Sequence, residues 1–362
     1  MHVVDADTHI VESEAVWDYL DEEMYARRPI IIRVPSDTLY KTRNAFWLID
    51  GNIRPKPAGR GGFTLHSPSV ADRELNRTDT SLGSRELSDI GSRIQDMDRL
   101  GVSVQILYPT LFLVHLTEDP ALEVALCQAY NRWMSHASEA ASSRMKWIAV
   151  APFADLQASL VQINYAQEHG AVGVLFRGME HNRSLADPYF FPIYQEASRL
   201  GLSICIHTGP GSPALSNVFD VSIGSGFGHI SLLPVIAFND LITRKIPEIF
   251  PDLRFGFIEA SSSWVPYVVH KINRSIARDG GTKLDSAMFR DYRFYVACEA
   301  DEDIPYLLNY IPEDNMMIGS DYGHIDPAAE PRLVERLNDR GDLSESTVTK
   351  ILGQSAIAFY GL

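Results

Sequence analysis

The sequence contains little cysteine, little positive charge and no long apolar run, and each shortage excludes a class of protein. Its three cysteines form an odd, widely spaced set without a CxxC pair among 362 residues: Cys127, Cys205 and Cys298. Neither a disulfide framework nor a zinc knuckle is therefore predicted. We expect these thiols to be reduced and mostly buried.

Basic residues are outnumbered by acidic ones, 32 Lys and Arg against 47 Asp and Glu, so the formal net charge is -15 at pH 7. Phosphate binding needs a basic surface, so nucleic acid is excluded as a partner. No run of about 18 apolar residues occurs. The opening MHVVDADTHIVESE also lacks the basic segment and apolar stretch of a secretory signal. We therefore expect no membrane partner and a cytoplasmic location.

The chain does contain enough apolar residues, 45%, for a sizeable core. Short β-branched runs alternate with longer amphipathic segments such as DPALEVALCQAYNRWMSHASEAA, as expected of repeated βα units and a parallel sheet. The predicted strands span 3–7, 102–109, 147–152, 172–176, 203–207, 254–259, 293–299 and 316–321. Eight such strands indicate an α/β fold, a (β/α)8 TIM barrel, formed by residues 1–362 as a single domain.

Residues 21–92 interrupt this alternation and are predicted to form an insertion, or cap, over the active-site face of the barrel. Between residues 27 and 60 this insertion carries eight basic residues against two acidic ones, among them Arg54, Lys56 and Arg60. This basic island has two interpretations: a site for an anionic part of the substrate, or a solvated loop surface.

Ligand-type residues stand where the predicted strands end. Asp7 and His9 are two residues apart on the first strand, so their side chains point the same way. His207, Glu259, Glu299 and Asp321 end later strands, and His324 follows. Because all carboxyl ends of a parallel barrel share one rim, these groups are expected to converge on bound metal.

Each residue also has an ordinary structural interpretation. A histidine in a strand is often a core residue, and Glu299 opens the acidic run EADED, which could simply begin a solvated helix. His181 and His229 lie in loops and are candidates for contact with substrate or metal, although loop positions of this kind favour ordinary polar residues.

The order VDADTH, CIHTG, FIEASSSWVPY and IGSDYGH resembles the amidohydrolase family 2 barrels, which include the aminocarboxymuconate semialdehyde and resorcylate decarboxylases. The resemblance spans nearly the whole chain. It implies that Asp7 and His9 are the first-strand metal ligands, with His207 the fifth-strand ligand and Asp321 the eighth-strand ligand.

The sequence departs from those decarboxylases at the sixth strand, where Glu259 stands in place of a histidine. The candidate ligands then comprise four carboxylates and three imidazoles, a set that suits two iron or manganese ions better than one zinc. The IEAxxxWVPY and SDYGH segments are similar to a branch that contains the nonheme diiron monooxygenase of platensimycin and platencin diterpenoid biosynthesis. This resemblance implies a bulky substrate, with a coenzyme A thioester as one form of it.

Two enzymatic functions follow from these residues, and Glu259 and His324 favour the first. The first is a diiron monooxygenase that uses dioxygen and an electron donor, with Glu259 and His324 in catalytic roles. The second is a hydrolase or decarboxylase with one zinc or manganese ion acting as a Lewis acid. In both, the substrate is a small molecule, and assembly as a homo-oligomer stays open.

Overall fold

The computed structural model describes residues 2–54, 67–141, 143–218, 232–325 and 327–362, and its centre is an eight-stranded parallel barrel. The barrel strands, in spatial order, are β1 (Val4–His9), β5 (Val104–Tyr108), β6 (Met145–Ala149), β7 (Ala171–Arg177), β10 (Ser203–His207), β11 (Phe255–Ile258), β12 (Phe294–Cys298) and β13 (Met316–Ile318). Each overlaps one of the eight predicted strands. Outside the barrel, the short strands β8 (Met179–Glu180) and β9 (Arg183–Ser184) pair with each other. The predicted TIM barrel is therefore confirmed.

The barrel closes where its first and last strands meet, through main-chain hydrogen bonds just beyond the end of β13. The amide of Asp321 donates to the carbonyl of Asp7 at 3.0 Å, and the amide of His9 donates to the carbonyl of Tyr322 at 2.6 Å. Two candidate metal ligands, Asp7 and Asp321, are thus joined by their backbones across the closure.

Helices surround the strands and cover their outer faces. The longer ones span Ile90–Leu100, Pro120–Glu139, Leu156–Glu168, Phe191–Leu200, Leu232–Thr243 and Val265–Arg278. Shorter ones span Pro213–Val218, Ile246–Ile249, Met288–Asp291, Ile304–Leu307, Leu333–Asn338, Glu345–Thr349 and Ser355–Tyr360. Along β10 the alternation places Ile204 and Ile206 against Phe238 of this helical layer.

The stretch from residue 21 to 92 contains more regular structure than its Pro- and Gly-rich composition suggests. Three strands form an antiparallel sheet: β2 (Ile30–Arg33), β3 (Ala45–Ile49) and β4 (Asn52–Arg54). Short helices span Glu22–Tyr25, Asp72–Leu75 and Leu82–Arg85. The turn from β3 to β4 places Asp50 and Gly51 at positive φ, as a tight hairpin between twisted strands requires.

Arg93 is a buried cation that connects the helix Ile90–Leu100 to β1. Its guanidinium donates to the carbonyl of His9 at 3.0 Å, to Thr8 Oγ1 at 3.1 Å and to Gln105 Oε1 at 2.7 Å. It also lies 4.1 Å from the centre of the Tyr322 ring. The Arg93 side chain therefore contacts residues on both sides of the barrel closure.

We expect Arg93→Met to lower the free energy of unfolding by about 3 kcal/mol, because several buried acceptors lose their donor at once. Urea denaturation would measure the loss. Arg99→Met, a change on the same helix at a side chain that is 56% exposed and pairs with Asp96, is the matched control and should have a much smaller effect. Equal effects of the two substitutions would contradict the role assigned to Arg93.

Two expectations about the whole chain can be compared with the structure. All three cysteines are buried and free of disulfides, as predicted. Within the described ranges, no helix combines the length and the apolar character needed to cross a membrane.

Candidate metal centre

Six of the predicted ligand residues converge at the carboxyl ends of the barrel strands. They form two overlapping groups in which the nitrogen and oxygen atoms lie within 4.8 Å of one another. One group is Asp7, His9, His207 and Glu259, and the other is His9, Glu259, Asp321 and His324. All six are buried, and His9 and Glu259 belong to both groups.

The hydrogen bonds of His9 and His207 fix which ring nitrogen faces the centre. Nδ1 of His9 lies 3.0 Å from the carbonyl of Pro109, and Nδ1 of His207 lies 3.1 Å from the carbonyl of Thr208. A carbonyl only accepts, so both Nδ1 atoms carry hydrogen and, in the neutral rings, both Nε2 atoms present lone pairs. A ring nitrogen that donates to a backbone carbonyl, with the other nitrogen left for a ligand bond, is typical of histidines that bind metal.

These Nε2 atoms face carboxylates, which also only accept. His207 Nε2 lies 3.2 Å from Glu259 Oε2 and 3.4 Å from Asp7 Oδ1, and His9 Nε2 lies 3.3 Å from Asp7 Oδ1. Acceptors packed this closely repel one another unless a cation or a proton lies among them. The donor set therefore fits a divalent metal ion.

The electrostatics of the ion-free chain support this. Burial disfavours the charged form of His9, but Asp7 and Glu259 outweigh burial and raise its pKa to about 10. Burial likewise raises the pKa of Asp7, but His207 and His9 reverse this and hold that pKa well below its usual range. The field that retains a proton on His9 also attracts a metal cation, whose binding would release that proton.

His324 is held from the other side of the centre. Its ring stacks on that of His9, with 3.8 Å between centroids, and its Nε2 lies 2.9 Å from Thr110 Oγ1. Because the Thr110 hydroxyl donates to the carbonyl of Ile10, it accepts from His324. Nδ1 of His324 is thereby directed to Asp321, whose Oδ1 is 2.8 Å away.

The backbone at two of these residues adopts a left-handed conformation. Glu259 has a φ of 53° and Asp321 a φ of 52°, and Ser261 has a φ of 54°. Such values are uncommon outside glycine and persist only where the surroundings enforce them.

Glu302 enforces the conformation of the segment after Glu259. Its buried carboxylate accepts from the amide of Ser262 at 2.9 Å and from the amide of Ser263 at 2.6 Å, and also from both hydroxyls. It accepts from the amide of Glu299 at 2.9 Å as well. The sequence analysis did not identify Glu302, because its role depends on a contact across 40 residues of chain.

The remaining predicted site residues that the structure describes belong to neither ligand group. Glu299 is half-buried and belongs to neither group, and its amide donates to the carboxylate of Glu302. His181 pairs with Glu123 at 2.9 Å. Arg54 ends β4 and is half-buried. Lys56, Arg60 and His229 lie outside the described residues.

The basic island is partly neutralised by neighbouring acids. Arg27 pairs with Asp50 at 2.9 Å and with Asp119 at 2.6 Å, and Arg33 pairs with Asp72. These two cations therefore contribute to the solvated surface that was the second interpretation of the island. Of the three cations predicted to contact substrate, Arg54 is the one that lies within the described residues.

Comparison with known proteins identifies relatives over the whole length. A family model described as "Amidohydrolase" matches residues 4–362. A 2-amino-3-carboxymuconate-6-semialdehyde decarboxylase of Dictyostelium discoideum is 24% identical over 283 residues, which cover 75% of this chain and 76% of that protein.

Solved structures share the fold at low sequence identity. An amidohydrolase from Mycobacterium avium subsp. paratuberculosis K-10 superposes with a TM-score of 0.78 at 18% identity and covers 99% of each chain. The 5-carboxyvanillate decarboxylase LigW from Sphingomonas paucimobilis superposes with a TM-score of 0.67 at 16% identity, covering 100% of this chain and 99% of its own. At these identities the likeness concerns the barrel alone.

Proposed function

The chain belongs to the amidohydrolase family, and from that premise we propose that it is a metal-dependent decarboxylase of a small carboxylated molecule. One observation carries the proposal: two imidazoles with fixed tautomers face buried carboxylates at 3.2 to 3.4 Å, an arrangement that fits a bound cation. The decarboxylases among the relatives supply the reaction class, and their names describe carboxylated substrates.

Asp7, His9, His207 and Asp321 would hold one zinc or manganese ion. When bound, such an ion acts as a Lewis acid that binds substrate oxygens and stabilises negative charge. The residues around it would then orient the substrate carboxylate and exclude water, since all four are buried at the barrel mouth.

Glu259 and His324 are the proposed proton carriers. Loss of carbon dioxide breaks a carbon–carbon bond and leaves the electron pair on the substrate carbon, which must then take up a proton. Glu259 Oε2 contacts both His207 and His9, at 3.2 and 3.6 Å, so it lies beside the proposed ion. A carboxylic acid at this position can deliver that proton.

A second function remains a candidate because the two ligand groups overlap. His9 and Glu259 belong to both groups, and three carboxylates with three imidazoles could hold two iron ions. This arrangement would favour the diiron monooxygenase, with dioxygen, an electron donor and a bulky, coenzyme A-linked substrate. The identified relatives favour the decarboxylase.

The test is carbon dioxide release without oxygen. Protein loaded with zinc or manganese under anaerobic conditions is incubated with 5-carboxyvanillate, 2,6-dihydroxybenzoate and related aromatic and dienoic acids. We expect metal-dependent release that stops when the ion is removed by a chelator. If no acid reacts anaerobically and iron-loaded protein instead consumes oxygen with an added reductant, the monooxygenase replaces the proposed function.

A further inference from the structure

A small cavity of about 30 Å³ lies at the carboxyl ends of three adjacent barrel strands. Its lining includes Phe112 after β5, Ala151 after β6 and Arg177 at the end of β7. A space of this size holds two or three water-sized groups, since about 10 to 15 Å³ suffices for one. The cavity can therefore receive one small polar group of a larger molecule.

The strand register places this cavity beside the proposed metal centre. Arg177 and His207 are paired positions on the adjacent strands β7 and β10. A Cβ at Gly173 would lie 2.6 Å from Cys205 Sγ, so alternate residues of both strands project to the same face. Arg177 is four residues after Gly173, and His207 is two residues after Cys205, so both side chains project to that same face.

Two hydrogen-bond donors line the cavity. Arg177 donates from Nε to Glu180 Oε1 at 3.0 Å and pairs through Nη2 with the other carboxylate oxygen, whereas Nη1 makes a long contact of 3.4 Å with the carbonyl of Phe112. His115 is buried, and its Nε2 makes no hydrogen bond to the described residues. That nitrogen lies 3.3 Å from Glu118, whose side chain is 76% exposed and can turn into solvent.

Charged groups of both signs surround the cavity. Arg177 pairs with Glu180 and His181 pairs with Glu123, and the positive charges of Arg177, His181 and Arg54 act on His115. Burial, together with Arg177, His181 and Arg54, lowers the pKa of His115 to about 3. His115 is therefore neutral at pH 7 and keeps a single N–H donor.

We propose that this cavity binds a second carboxylate of the substrate, with Arg177 Nη1 and His115 as its donors. The inference rests on the proposed function and deepens it: the substrate is a dicarboxylate, with one carboxylate at the metal centre and the other in the cavity. A carboxylate can accept from Arg177 Nη1, whose contact with Phe112 is long, and from His115, whereas an apolar group can accept from neither.

The experiment compares isophthalate with benzoate, measured by titration calorimetry on zinc-loaded protein. We expect isophthalate to bind about 10- to 100-fold more tightly, the effect of hydrogen bonds to one charged group. The preference should fall to about 2-fold or less in Arg177→Lys, which keeps the charge beside Glu180, and in His115→Phe, which keeps a ring beside His181.

Cys127→Ala is the control because Cys127 lines the same cavity without charge, and it should retain the preference. Benzoate affinity should be unchanged in every variant, which shows that the metal centre is intact. Equal affinities in wild type, no binding of isophthalate, or a preference that survives both substitutions would overturn the proposal. Failure of the decarboxylase alone would show as intact isophthalate preference without carbon dioxide release.

Discussion

In Glu259→Gln, metal content should stay near that of wild type while turnover falls by about 100-fold or more, because a proton carrier contributes at least that factor. The amide keeps the size of the side chain and can still contact His9 and His207, but it cannot carry the proton. Metal per chain by mass spectrometry and carbon dioxide release measure the two effects separately.

Glu299→Gln is the matched control for this experiment. Glu299 follows the neighbouring strand but belongs to neither ligand group, so its change should alter neither metal content nor turnover. Loss of about half of the metal in Glu259→Gln would instead identify Glu259 as a ligand shared by two ions. That outcome would favour the monooxygenase.

His207→Ala should abolish stable metal binding, with a loss of affinity greater than about 100-fold. Removing only a group that hydrogen-bonds to a metal ligand already costs about 10- to 100-fold in affinity. His207 supplies one inward nitrogen, and its removal leaves Asp7 and Glu259 without the imidazole that separates them. Competition with a chromophoric chelator would measure the affinity, and circular dichroism would verify the fold.

His136→Ala is the control for His207→Ala, because His136 is exposed on the helix Pro120–Glu139 and should not affect the metal. Wild-type metal affinity in His207→Ala would remove His207 from the ligand set and with it the proposed centre.

The barrel could be predicted from the sequence because each strand is a short, buried, β-branched run, and periodicity detects such runs. The convergence of Asp7, His9, His207, Glu259, Asp321 and His324 followed from one rule, that parallel strands end at a common rim. Glu299 shows where that rule stops. It counts as a strand-end residue in the sequence, yet it belongs to neither group, and its amide donates to Glu302.

Contacts between distant segments were beyond prediction from the sequence. Arg93, Arg177 and Glu302 each look like ordinary surface charges in the sequence, because nothing local shows which carbonyls, hydroxyls or cavities they meet. The β3–β4 hairpin is different. Asp50-Gly51 between two apolar runs is a strong hairpin signal that the composition of the surrounding stretch obscured.

The closure of the barrel also has a consequence for how the protein folds. Ser320 donates to the carboxylate of Asp5 across 315 residues of chain, and the neighbouring Asp7 and Asp321 join their backbones at the same place. Such distant pairing forms late, because the loop entropy must be lost before the contact is gained. The proposed ligand set is therefore incomplete until these two ends of the chain meet, and a nascent polypeptide could complete the proposed metal centre only after the last strand has left the ribosome.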